Sequence, residues 1–165
     1  HGGSILLQLR RRDDPTPIHA SVSQYLEKEH QLKINQLETW AKFVEQVRCI
    51  QEGLPSLIRG LRKDGKRIIG YGASAKGNTL LNTCSLTQDD LDYIIDNTPF
   101  KQGRVAPGSL IPVEPPERLL EDQPDFALLL AWNFAGEIIN RETEYQIRGG
   151  RFIIPIPVPR IVEYP

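Results

Sequence analysis

Cysteine is scarce, and its two copies do nothing together. Cys49 and Cys84 stand far apart and form no Cys-x-x-Cys pair. Neither a disulfide framework nor a zinc ribbon is implied. The three histidines, His1, His19 and His30, complete no zinc pattern with them. This cysteine usage fits a reduced, cytoplasmic setting. No apolar run approaches the roughly 20 residues of a membrane span, and no signal-peptide pattern is visible. Membrane is therefore not expected as a partner. Neither sign of charge dominates: Lys and Arg number 20, Asp and Glu 21, for a formal net charge of -1. A nucleic-acid partner would need a basic face, so it is not expected either. No Ser–His–Asp or Cys–His arrangement is suggested, because every histidine precedes residue 31. No carboxylate cluster suggests a metal, and Asp89, Asp90 and Asp92 read as a solvated face. The first residue is not methionine, and the chain is expected to be part of a longer protein.

What is present is enough for a core. The 165 residues are 39% hydrophobic and 25% charged, and a domain of about 150 residues buries roughly 70% of its unfolded surface. "SILLQLRRR" (4–12) reads as a short strand after a turn made by Gly2 and Gly3. "DDPTPI" (13–18) reads as a connector. From Ser21 the pattern turns helical. Ile34, Leu37, Trp40, Ala41, Val44, Val47 and Ile50 recur at steps of three or four, which predicts an amphipathic helix with one buried face. Gly53 and Pro55 are expected to kink or stop it, with a second helical piece starting at Pro55 and closing at "KDGK" (63–66).

Beyond that point the rhythm changes. Strands are predicted at 67–71, 91–96, 110–113, 125–132 and 149–157, with helices at 75–84, 115–122 and 135–147. Apolar strands alternating with helices argue for a parallel sheet covered on both faces. Right-handed crossovers then give a doubly wound sheet. The expected fold is α/β: a Rossmann-like, mostly parallel sheet with an N-terminal strand and a long helical segment. Residues 1–66 are expected to pack on a nucleotide-binding core at 67–165.

The stretch "RIIGYGASAKGNTLL" (67–81) carries the chemistry. Gly70-x-Gly72-x-x-Ala75 follows a predicted strand and opens a predicted helix, the context a dinucleotide-type glycine turn requires. In such a turn the first glycine permits the bend, the second admits a diphosphate, and the third small residue lets helix and strand approach. The helix N-terminus adds amide donors and partial positive charge. Lys76 and Asn78 add side-chain donors, and Ser74 is placed to cap the helix. Asp96 ends the next strand, 24 residues after Gly72, near the position of a ribose-binding acid. Asp96, Asn97 and Lys101 lie in the loop after that strand, on the side where ligands bind open α/β sheets. Lys101 is a candidate point charge for a phosphate; a solvated surface lysine is the competing reading. Asn133, at the end of the most apolar strand, is a candidate for bonding a base or sugar, or for capping a helix beside a core Trp132.

"HGGS", "GYGASAKGNTLLN" (70–82), "IIDNTPFKQGRVAPGSLIPV" (94–113) and "PDFALLLAWNFAGEI" (124–138) occur in this order. Together they resemble the C-terminal domain of S-adenosylmethionine-dependent sugar C-methyltransferases, which act on nucleotide-linked deoxysugars. Leu6, the Asn97-Thr98 pair and Ala131 depart from that family's pattern. The resemblance implies a parent enzyme with a zinc-binding N-terminal portion and an S-adenosylmethionine-binding middle domain that carries the catalytic base. It implies no cofactor and no catalytic residue in this chain, which would supply substrate binding. Its partners would be a dTDP-type sugar nucleotide and the S-adenosylmethionine-binding domain of the same polypeptide. Gly72, Ala73, Lys76, Gly77 and Asn78 are assigned to the diphosphate on the physics of the turn and the resemblance together. Two other readings stand beside this one. Gly70, Gly72, Ala75 and Asp96 also fit an NAD-type module of an oxidoreductase. The amphipathic helix at 34–51 also fits a non-catalytic interaction domain.

Overall fold

The computed structural model describes residues 5–163. The glycine turn expected at Gly2 and Gly3, and His1, lie outside the described residues. The chain divides into a unit ending at Gln46 and a unit beginning at Val47.

The first unit is helical. α1 (Ala20–Gln31) is capped by the His19 side chain, which accepts from the Ser21 amide. α2 (Leu37–Lys63) begins in this unit. The strand expected near the start does not form: residues 5–11 carry no strand pairing. Ile5, Leu6, Leu7 and Leu9 are all exposed. Apolar side chains alone do not make a strand, since each backbone donor and acceptor needs a partner.

α2 also overturns an expectation. It runs unbroken through Gly53 and Pro55. Proline in a helix interior removes one hydrogen bond and crowds the preceding turn. Here Leu54, Pro55 and Ile58 are all buried, and burial of that face outweighs the local penalty. The helix ends as expected at Lys63. Gly65 then adopts φ 76°, and the Lys66 amide closes back on the Leu61 carbonyl.

In the second unit β1 (Ile68–Tyr71), α3 (Ala75–Thr83), β2 (Ile94–Ile95), β3 (Val113–Glu114), α4 (Arg118–Asp122), β4 (Phe126–Leu129), α5 (Ala135–Arg141), α6 (Thr143–Ile147), β5 (Arg151–Ile154) and β6 (Arg160–Ile161) follow in order. The sheet order is β3-β2-β1-β4-β5-β6. All pairings are parallel except β5 with β6. This is the strand order of doubly wound dinucleotide folds, whose order reverses between the first and fourth strands. β1 and β4 pair along their full length, Ile68 with Phe126 through Tyr71 with Leu129.

Both faces of the sheet are covered, which is why β1 and β4 read as unbroken apolar runs. On one face Leu54 and Ile58 of α2 and Leu80 and Leu81 of α3 pack with Ile68, Ile94 and Leu128. On the other, Leu119, Ile138 and Tyr145 pack with Ile69, Ile95, Leu129 and Phe152. One expected helix at 135–147 is two, α5 and α6, broken at Glu142. Of the acids near 90, Asp89 is exposed as expected, but Asp90 and Asp92 are not part of a solvated face. Asp90 is buried, 3.0 Å from Arg59, and also accepts from the Thr87 amide. Asp92 pairs with Arg62 at 2.8 Å and Arg67 at 3.4 Å.

Candidate functional site

The site lies where the strand order reverses, at the carboxyl ends of β1 and β4. β1 hands the chain to Gly72, whose φ of 88° is a region that side chains rarely adopt. The Gly72 amide bonds to the Ile95 carbonyl at 2.8 Å, which ties the turn to β2. Ser74 caps α3 as expected: its Oγ accepts from the Gly77 amide at 3.0 Å and donates to the Leu130 carbonyl at 3.1 Å. One hydroxyl thus fixes the turn to the end of β4.

Glycine roles differ in part from the spacing rule. A Cβ on Gly70 would lie 2.9 Å from the side chains of both Ile94 and Leu130, so this position is glycine for packing inside the sheet. The close approach of helix to strand falls on Gly77, not Ala75. A Cβ there would lie 2.6 Å from that of Leu130. Ala75 is exposed. The amides of Ala75 and Lys76, in the first turn of α3, have no hydrogen-bond partner among the described residues. They are oriented donors at the positive end of the helix. Lys76 is exposed and makes no hydrogen bond or ion pair among the described residues.

Two cavities open beside this turn. The first, ≈ 360 Å³, has Ala73, Ser74 and Asn78 on one side and Lys101 and Arg104 on another. Its remaining walls are largely apolar, from Leu81, Ile94, Phe100, Val113 and Leu130 among others. The Asn78 Oδ1 is buried without a hydrogen-bond partner. Such an orphan acceptor is uncommon in a folded protein and calls for an explanation. The second cavity, ≈ 280 Å³, is lined by Tyr71, Gly72, Asp96, Asn97, Glu137 and Arg141, with others.

The loop after β2 is held by its own charges. Lys101 Nζ donates to the Ala73 carbonyl at 2.9 Å and to Asp96 Oδ2 at 3.1 Å. Two of its three N–H groups are therefore engaged in bracing the glycine turn. Asp96 also accepts from the Thr98 amide at 2.8 Å. Burial opposes ionisation of Asp96, but the bonds from Thr98 and Lys101 outweigh it and hold the carboxyl below the usual range.

Of the residues singled out in the sequence, Ala73, Asn78 and Lys101 thus line the first cavity. Gly72, Asp96 and Asn97 line the second. Gly77 is buried beneath the turn, and Lys76 stands outside both cavities. Asn133 is exposed in a short 3-10 turn and lines neither. It makes no capping bond there, and α5 has no side-chain cap. Trp132 packs against the core.

Sequence reasoning missed Phe100 and Arg104 as cavity walls, although both lie in the loop already singled out. It also missed a polar cluster at the second cavity. The Tyr71 hydroxyl donates to Glu142 and accepts from Arg141, each at 2.5 Å. Burial first, then the Glu142 bond, pushes the Tyr71 phenol up to about 12. Nothing in a strand sequence marks its tyrosine as the partner of residues 70 and 71 positions away. No group of His, Cys, Asp and Glu suited to a metal ion occurs among the described residues. No helix among them is long and apolar enough to cross a membrane.

A family described as C-methyltransferase C-terminal domain matches residues 1–157. The chain is similar to C-methyltransferase NovU of Streptomyces niveus, with 39% identity over 162 residues. That match spans 98% of this chain but only 39% of the relative.

Proposed function

Because this chain belongs to the C-methyltransferase C-terminal domain family, we propose that it is the unit of such an enzyme that holds a nucleotide-linked sugar of the dTDP type. The observation that carries this reading is the juxtaposition of an apolar cavity with unused donors at the start of α3. The Ala75 and Lys76 amides and the Lys76 ammonium suit a diphosphate, which a helix N-terminus attracts without further help. The ≈ 360 Å³ cavity suits a base, with Phe100 for ring contact. Asn78 Oδ1 would accept the ring N–H that would relieve its burial. Gly72, Ala73 and Gly77 shape the turn so that the phosphates reach the backbone. Asp96 and Lys101 hold it in place, and Asn97 faces the neighbouring cavity, where the sugar would leave toward the rest of the parent. Asn133 is left as an exposed contact for the same ligand. S-adenosylmethionine, zinc and the catalytic base belong in this reading to the preceding regions of the parent polypeptide, which work as this domain's partner.

The NAD reading is weaker on one point of geometry. Each Asp96 carboxylate oxygen already accepts one bond, from the Thr98 amide and from Lys101, so a ribose hydroxyl would have to share an oxygen with one of them through its remaining lone pair. The test is calorimetric titration of the parent polypeptide with dTDP, NAD and S-adenosylmethionine, wild type against Lys76→Ala. Loss of one charge-assisted contact should weaken dTDP binding by about tenfold or more, with thermal stability unchanged. Equal dTDP affinity in both proteins would remove Lys76 from the site. NAD binding that depends on Asp96 would replace the sugar-nucleotide reading.

A further inference from the structure

The unit ending at Gln46 has no buried residue among those described. Yet it is rich in large apolar side chains. Leu37, Trp40, Phe43 and Val44 of α2 are all exposed, Trp40 and Phe43 at 53% each. Their spacing places them on one helix face. Residues continuing that spacing, Leu54, Leu57, Ile58 and Leu61, are buried in or packed against the core of the second unit. The same stripe is therefore covered in one half of the helix and bare in the other. The ring of Trp40 meets Phe43 edge-on at 6.0 Å, and its indole N–H is satisfied by the Ile34 carbonyl at 2.6 Å. The patch is thus locally ordered, with an aromatic pair of the kind that anchors interfaces. A 12-residue helix such as α1, with no buried residue, is marginal in water without tertiary packing.

We infer that this bare α2 face is the seat of the region that precedes the domain in the parent polypeptide. The matching family is a C-terminal domain, and the similar methyltransferase extends well beyond the matched length, of which this chain covers only 39%. A tethered region meets the patch at high effective concentration, whereas a second copy must find it by diffusion. This inference rests on family membership and not on the sugar-nucleotide reading, so either can fail without the other.

Hydroxyl-radical footprinting of the full-length wild-type parent, read by mass spectrometry, tests it without any substitution. Cys49 is exposed and lies at a helical angle opposite the stripe, which makes it the internal reference. Trp40 and Phe43 should react several-fold more slowly than in the urea-unfolded parent, at every protein concentration, while Cys49 is oxidised readily. Trp40 and Phe43 reacting at unfolded rates would overturn the inference. Protection that disappears on dilution, together with a halved native mass, would overturn it in favour of a second copy of the chain.

Discussion

Gly77 shows how little room the site leaves for change. Its missing side chain is the space into which Leu130 packs, and its amide is the one Ser74 caps. Gly77→Ala should destabilise the domain by about 1–3 kcal/mol through overpacking, measured by urea denaturation. Lys101 and Asp96 give a second residue-scale test. The Asp96 carboxyl is held below its ordinary range in the folded protein. A depressed folded pKa contributes stability that is full above the unfolded value, about 3.9, and is lost as pH falls through the folded value. Lys101→Met removes one of the bonds that depress it. In that variant Asp96 is less depressed, so the acid loss still starts near the unfolded value but should be smaller and complete at a higher pH than in wild type, seen as a shallower acid limb of the thermal midpoint. Identical acid limbs would show that Thr98 alone sets the Asp96 pKa. Lys101 itself illustrates what a residue letter conceals. A lysine in a loop reads equally as a phosphate ligand or as a solvated charge, and only the fold reveals that its ammonium braces the Ala73 carbonyl.

At the scale of elements, periodicity carried far because burial on both faces of a sheet leaves a strong imprint. β1, α3 and β4 lie within the stretches that apolar runs and the glycine turn marked. The misses have one cause in common, which is tertiary packing acting against a local rule. Pro55 sits inside α2 because its face is buried. Residues 5–9 look like a strand but have no neighbour to pair with. β6, two residues long, is defined by its pairing with β5 and carries no pattern of its own. Asp90 looked solvated because its partner, Arg59, is 31 residues away. Gly60 offers the element-scale test. It is exposed inside α2, and a Cβ there meets nothing within 4 Å. Gly60→Ala should therefore raise stability by about 0.5–1 kcal/mol, measured by the same urea titration. No gain would indicate that the helix is under strain near Pro55.

For the whole molecule, the strand order was not legible, since nothing local says which strand lies beside which. The doubly wound class was, through alternation of strands and helices. The candidate site was half legible. The glycine turn and the loop after β2 stood out by composition, whereas the separation of their residues into two cavities depends on which way each side chain points from the sheet. The two units should also differ in resistance. Trypsin should cut the isolated chain at positions up to Lys33, where no described residue is buried, before it cuts beyond residue 66, because cleavage follows local opening. Time-resolved mass spectrometry of the digest would follow this order. Early cuts in α3 or α5 instead would mean that the sheet unit is the looser of the two.

The Ser74 hydroxyl, bonded at once to α3 and to the end of β4, has a kinetic consequence. The turn has its shape without a ligand, so under the proposed function an anion would meet it as a rigid surface. Little conformational entropy is lost on contact. Charged ligands should then associate at a rate governed by collision and ionic strength, and their affinities should separate mainly through how fast they leave.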